Sequence, residues 1–189
     1  TLLVPEGLSV QVLFREKLDY VVREDGVKAP AKGSHDMLTF IPDEANSNKG
    51  WLYVSHESRY GNEILGDGGG ATMFQVEKDS SGNWNRLSDF KHVDFTVVGN
   101  TQRNCGGTLG PNGMIYTCEE SQPMSNKALT YKGKGHTNPQ KVGGLEYWQN
   151  FGYVVEVDPT TFKATQKMIA WGRYYHCLLY TSPSPRDLP

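Results

Sequence analysis

The sequence has little of what several protein classes require. It contains 3 Cys among 189 residues, too few for a small fold held together by disulfides. It has no apolar run of about 18 residues, so no transmembrane helix is expected. Its 19 basic and 21 acidic residues are spread along the chain and leave a net charge of −2, which argues against a nucleic-acid partner. No signal-peptide pattern is visible, and Thr1 opens the chain without Met, as it would if a leader had been lost.

The end of the chain differs from the rest. Residues 177–189 resemble the translation of a transposase adapter used in sequencing libraries; the alternative is a genuine tail rich in Pro and Ser. Because non-native tails do not belong in fold reasoning, we exclude these residues. Residues 1–176 are then expected to be the N-terminal part of one domain, cut just after His176.

Short strands and turns, without a convincing amphipathic helix, dominate these residues. Several runs are rich in β-branched or aromatic residues and are bounded by Gly, Pro, Asn, Asp or Ser, which predicts an all-β sandwich, barrel or propeller. The predicted strands are Leu8–Phe14, Met37–Ile41, Trp51–His56, Thr72–Val76, Phe95–Val98, Met114–Cys118, Tyr153–Val157 and Lys167–Trp171. The polar segment Gln122–Gly144 is predicted to be a long loop.

A weak internal repeat favours the propeller. Leu52–Ser58 resembles Ile115–Ser121, and Met73–Glu77 resembles Val154–Asp158. In both pairs a strand that carries an aromatic or β-branched residue ends in a polar, acidic turn. Long repeats made only of strands are typical of propeller blades with insertions. The alternative is a coincidence between two β-rich segments.

The densest group of reactive side chains runs from Arg103 to Glu120. If Pro111-Asn112 closes a two-residue hairpin, Cys105 faces Cys118 as a pair with close side chains. Such a pair predicts a cross-strand disulfide or two inert buried thiols. Because Pro at the first turn position does not suit the primed hairpin turns, the register stays open.

The same region also indicates a metal site. Gly106-Gly107 would allow the backbone to bulge and to approach a ligand closely. Strand alternation sends Glu119 and Glu120 to opposite faces, so we expect one of them in the site. Glu57 holds the matching place in the repeat. Carboxylates suit Ca²⁺, and a thiolate beside them suits iron or another transition metal ion; the alternative is that these strand ends are simply solvated.

Motifs of other enzyme classes are absent from the sequence. Neither a Gly-x-Ser-x-Gly nucleophile elbow nor a phosphate-binding loop ending in Gly-Lys-Ser/Thr occurs. The 5 His residues show no metal-ligand spacing. His56 alone is retained as a candidate, because it adjoins Glu57.

The Cys-centred region resembles the signature of the PhoX-type alkaline phosphatases, Asn-Cys-x-Gly-Gly followed by Thr-Cys-Glu-Glu. Here the corresponding residues are Asn104–Gly107, in which Gly-Gly follows Cys directly, and Thr117–Glu120. Supporting segments occur in the family's order: Pro5–Gly7, His35–Met37, Leu52–Glu57, Gly152–Pro159 and Gly172–His176. Two departures are that Ser55 stands where the family has Asn, and that Asp36 directly precedes Met37.

The resemblance implies a β-propeller that hydrolyses phosphomonoesters at a central cluster of iron and calcium. By motif, Cys105 would be the thiolate ligand to Fe³⁺, and Glu57 and Glu120 would be acidic ligands, with Glu120 on Ca²⁺. Arg103 and Asn104 are the implied catalytic residues, Arg103 as a phosphate contact. Cys118 would then be structural and no disulfide would form, since an iron-bound thiolate is not available for one.

We therefore expect the first blades of a larger β-propeller and a metal-dependent alkaline phosphatase whose site is incomplete in residues 1–176. The expected cofactors are Fe³⁺ and Ca²⁺, and the expected partner is a small phosphate ester. A monomer in the periplasm or outside the cell is expected from the resemblance. Two alternatives are a phosphodiesterase or phosphotriesterase of the same fold and a non-catalytic propeller used for binding.

Overall fold

The computed structural model describes residues 3–59, 61–66, 68–126 and 144–177. Within these ranges the chain forms eleven β-strands and three short 3₁₀ helices, which confirms the all-β prediction. The strands are β1 (Tyr20–Val22), β2 (Lys28–Pro30), β3 (His35–Pro42), β4 (Lys49–His56), β5 (Ala71–Lys78), β6 (Trp84–Arg86), β7 (Phe90–Val93), β8 (Asn104–Leu109), β9 (Ile115–Glu119), β10 (Val154–Asp158) and β11 (Lys163–Lys167). In the part of the chain that is described, no helix has the length and apolar composition of a membrane span.

The strands form two sheets. The first has the order β2-β1-β7-β5-β4-β3, with β6 paired to β5, and the second has the order β11-β10-β9-β8. All neighbours are antiparallel except β1 and β7, which run parallel. Neither sheet closes on itself within the described residues.

The two sheets meet across a shared apolar core. Met37, Tyr53 and Met73 of the first sheet pack with Ile115 and Val155 of the second. The other face of the first sheet buries a second cluster that includes Leu52, Val54, Phe74, Val76 and Phe90. Burial on both faces explains why β4 reads as a nearly unbroken apolar run rather than as an alternating one.

Three of the predicted strands differ from the structure. Leu8–Phe14 forms no strand, although the Gln11 side chain bonds to the Trp84 backbone at 2.7 Å. Thr96–Val98 is a 3₁₀ helix, because the Asp94 carboxylate accepts a hydrogen bond from the Thr96 backbone and begins a turn there. In Lys167–Trp171 only the first residue lies in a strand. Most of the predicted loop 122–144 lies outside the described residues.

The predicted register between β8 and β9 is wrong by one residue on the turn side of a bulge and correct beyond it, where Asn104 pairs with Glu119. Leu109 pairs with Ile115, and the turn between them spans residues 110–114, with Gly110 N bonded to Met114 O at 2.8 Å. The fixed φ of Pro111 prevents the positive φ that a two-residue primed turn needs, so a longer turn forms. A bulge lies between Asn104 and Gly107, as the Gly106-Gly107 pair predicts.

Candidate functional site

Two carboxylates that the repeat predicted to be equivalent meet at one guanidinium. Glu57 directly follows β4 and Glu120 directly follows β9, so the two sheets deliver one carboxylate each. The Arg103 Nε lies 3.0 Å from Glu57 Oε1, and Arg103 Nη2 contacts that same oxygen. Nη2 also lies 2.6 Å from Glu120 Oε2. This guanidinium thus joins three of the five predicted site residues.

The charges of this triad stabilise one another. Partial burial alone would raise the pKa of Glu57, but hydrogen bonds from Arg103 outweigh it and hold that pKa below its usual value. Burial would lower the pKa of Arg103, and its bonds to Glu57 raise it instead. The guanidinium side chain keeps 21% of its surface exposed. It is therefore a partly open cation whose single positive charge reduces the repulsion between the two carboxylates.

Cys105 lies on the bulge of β8 and is buried. The backbone carbonyl oxygens of Cys118, His176 and Cys177 lie 3.6, 3.1 and 2.8 Å from its sulfur. Burial raises the pKa of the Cys105 thiol well above its usual value, so the side chain is a neutral thiol here. Cys105 and Cys118 are both free, so the structure does not contain the disulfide that hairpin spacing allowed.

Three possible metal ligands, one of which is this thiol, lie close together. The Cys105 sulfur, a Glu120 carboxylate oxygen and the Cys177 sulfur all lie within 4.8 Å of one another. Burial first, and the Glu57 charge second, raise the pKa of the Asp36 carboxyl. The two sulfurs suit iron or another transition metal ion, and the carboxylate oxygen is of the kind that calcium also accepts. Binding of a metal ion at Cys105 would require loss of the thiol proton.

Asn104 faces the protein interior. It is fully buried; its Oδ1 accepts from Gly70 N at 2.7 Å and its Nδ2 donates to Thr117 Oγ1 at 3.3 Å. These bonds fix the loop before β5 against β9. The assignment of Asn104 as a catalytic residue stays a prediction.

His56 also has a structural environment. It is buried, with its Nε2 2.9 Å from Thr72 Oγ1 and its Nδ1 3.3 Å from the Gly33 carbonyl. Burial, and then the positive charge of Lys32, keep the pKa of His56 well below its usual value. The ring is thus held neutral between strands β4 and β5.

Sequence reasoning missed the environment of three residues around the site. Cys177 was excluded with the suspected tail, and Asp36 was noted only as a change in spacing. Glu119 was expected to point away from the site, and it does; the alternation gave no sign that its carboxylate is fully buried and bonded to backbone amides of two segments.

Comparison with protein families matches residues 1–181 to the family described as alkaline phosphatase PhoX. The chain belongs to the PhoX family. The match covers nearly the whole sequence and agrees with the resemblance carried by the residues around Cys105. No curated protein and no solved structure matches the chain.

Membership of the PhoX family makes the chain a phosphatase-type hydrolase. It also favours a small-molecule substrate. In this family context, the guanidinium of Arg103 and the donor group around Cys105 become the candidate site, because they place positive charge and metal-ligand atoms together. Both features suit a phosphate dianion.

Proposed function

We propose that the chain is part of a β-propeller phosphomonoesterase with an Fe³⁺ and Ca²⁺ centre. Cys105 would hold iron, while Glu57 and Glu120 would be acidic ligands, with Glu120 on calcium. The observation that carries the proposal is the convergence of these residues from separate strands. The Cys105 sulfur and the Glu120 carboxylate lie within 4.8 Å, and Glu57 shares Arg103 with Glu120.

The protein's own contribution to the reaction is positive charge aimed at phosphate. Arg103 is permanently charged, and two of its three guanidinium nitrogens already face Glu57 and Glu120. Within the described residues its Nη1 makes no hydrogen bond, so that end of the guanidinium can donate to an ester oxygen. When bound, the metal ions would neutralise the phosphate dianion and activate water as the nucleophile. Export of a monomer to the periplasm or outside belongs to the same proposal and rests on the family resemblance alone.

The test compares two buried cysteines. Cys105→Ala and Cys118→Ala each remove one buried free thiol, but only Cys105 adjoins the carboxylates. The chain and the complete gene product that contains it are loaded with Fe³⁺ and Ca²⁺, and bound metal is measured by plasma mass spectrometry. We expect a visible thiolate-to-iron absorption band and hydrolysis of para-nitrophenyl phosphate by the complete product. Cys105→Ala should lose iron and the band, whereas Cys118→Ala should keep both.

The outcomes separate the alternatives. Iron content and turnover that survive Cys105→Ala would refute the proposed centre. Faster hydrolysis of bis(para-nitrophenyl) phosphate than of the monoester would favour a phosphodiesterase. Metal binding by the complete product without hydrolysis of either ester would favour a non-catalytic propeller.

A further inference from the structure

Glu119 is the neighbour of Glu120 in sequence but points to the opposite side of its strand. Its side chain is fully buried. One carboxylate oxygen accepts from Gln102 N at 2.9 Å, and the other accepts from Gly152 N and Tyr153 N at 3.1 Å each. Both oxygens of Glu119 are therefore occupied by backbone amides from two segments that are distant in sequence.

A buried lysine balances this carboxylate. Lys167 Nζ lies 3.3 Å from both Glu119 oxygens, and its side chain is 4% exposed. The ammonium also contacts the Asn150 carbonyl and lies 4.9 Å from the centre of the Phe151 ring. Burying two charges is costly unless their hydrogen bonds are made well. The completeness of these contacts indicates that the carboxylate fixes the backbone around it.

One of those backbone contacts leads directly to the site. Gln102 immediately precedes Arg103, whose φ is +46°, a left-handed conformation that surrounding structure must hold in place for a residue other than glycine. Arg103 N donates to the Ser58 carbonyl at 3.2 Å, and Glu120 N donates to the Arg103 carbonyl at 3.0 Å. Glu119 therefore anchors the residue before this strained position from the interior side.

We infer that Glu119 is a positioning residue that holds the Arg103 backbone and thereby aims its guanidinium at Glu57 and Glu120. The inference deepens the proposed function, on which it rests for the part that Arg103 plays with substrate. The arrangement explains why two adjacent glutamates end β9. Glu120 faces the site, and Glu119 fixes the segment that carries the site's cation.

The test is Glu119→Gln, with Glu156→Gln as the matched control. An amide has one acceptor oxygen where the carboxylate uses two, so Glu119→Gln must give up either the Gln102 contact or the contacts on its other side. Glu156 is also a strand carboxylate that accepts several hydrogen bonds, from Tyr116 and Thr165 among others. It lies on β10 and has no contact with Arg103 in the described part of the chain.

The readout is the Nε–Hε signal of Arg103 in the NMR spectrum of the metal-free chain, assigned by its loss in Arg103→Lys. We expect Glu119→Gln to shift or broaden this signal while the Nε–Hε signals of Arg23 and Arg86 stay in place. Glu156→Gln should leave the Arg103 signal unchanged. In the complete, metal-loaded gene product, kcat/KM for para-nitrophenyl phosphate should fall about tenfold to hundredfold in Glu119→Gln. The double variant with Arg103→Lys should be no slower than Arg103→Lys alone.

An Arg103 signal that moves no further in Glu119→Gln than in Glu156→Gln would overturn the inference. If Glu119→Gln does not fold because Lys167 loses its carboxylate partner, Glu119→Gln with Lys167→Met removes both charges and gives the same measurement. If the signal moves but Arg103→Lys hydrolyses the monoester at the parent rate, the positioning role stands. In that case the part of the proposed function that makes Arg103 a phosphate contact is refuted.

Discussion

The Ser55 hydroxyl connects the two sheets at the Cys105 backbone, and we expect its removal to lower the free energy of unfolding. The hydroxyl is fully buried; its oxygen accepts from Met37 N at 2.9 Å and donates to the Cys105 carbonyl at 2.9 Å. Ser55→Ala leaves one backbone donor and one backbone acceptor without a partner where water does not reach. Each orphaned buried group costs about 1–3 kcal/mol. We therefore expect a loss of about 2–6 kcal/mol in the free energy of unfolding, a large share of the roughly 5–15 kcal/mol typical of a domain.

Ser88 provides a control with the same chemistry. Its hydroxyl oxygen accepts from Gln75 N at 2.9 Å and donates to the Asp89 carbonyl at 2.9 Å, but it lies in a partly exposed turn. Water can replace the lost hydroxyl there, so we expect Ser88→Ala to cost less than about 1 kcal/mol. Urea unfolding followed by tryptophan fluorescence measures both variants. A loss in Ser55→Ala no larger than that in Ser88→Ala would refute the reasoning.

Two further changes test the packing and the electrostatics. In Gly107→Ala the new Cβ would overlap the Tyr116 carbonyl oxygen and lie 2.6 Å from Met37 Sδ; we expect a loss of about 1–3 kcal/mol in urea unfolding, and unchanged stability would contradict this close approach. Burial, and then the charge of Lys32, lower the pKa of His92 to about 4. The free energy of unfolding should therefore be highest above pH 6.5 and should fall as the pH drops towards 4. In this range the imidazole of His92 takes up a proton in the unfolded chain but not in the folded one, so His92 alone should lower the free energy of unfolding by up to about 3 kcal/mol. His92→Gln should flatten this fall in urea unfolding between pH 7 and 4.5, and an equally steep fall in the variant would contradict the assignment.

The sequence predicted the central strands well, because burial shaped their composition. The apolar runs of β4 and β5 are buried on both faces and contain few residues that suit any other structure. It failed where tertiary contacts decide the conformation. Leu8–Phe14 has the alternation of a strand but no ladder partner in the described residues. At Phe95–Val98, an Asp94 side chain starts a 3₁₀ turn that β propensity alone does not reveal.

The candidate site was predictable in its parts but not in its assembly. The repeat placed Glu57 and Glu120 at equivalent strand ends, and alternation separated Glu119 from Glu120. Neither pattern shows that one guanidinium joins both carboxylates. Nor does either show the buried bonds of Glu119, since they are made to backbone amides of residues far along the chain. Such partners carry no side-chain signature in the sequence.

The site lies at the seam between the two sheets, and this location sets its sensitivity to mutation. Glu57 is carried by the first sheet, whereas Glu120 and Cys105 are carried by the second. The distance between these groups therefore depends on how the sheets pack, through the shared core and the hydroxyl of Ser55, and not on any one segment of chain. A core substitution far from Arg103 that shifts one sheet by about 1 Å would separate the two carboxylates and could cost about a hundredfold in rate. Loss of activity on mutating the shared core would thus be a consequence of site geometry, even where the fold survives.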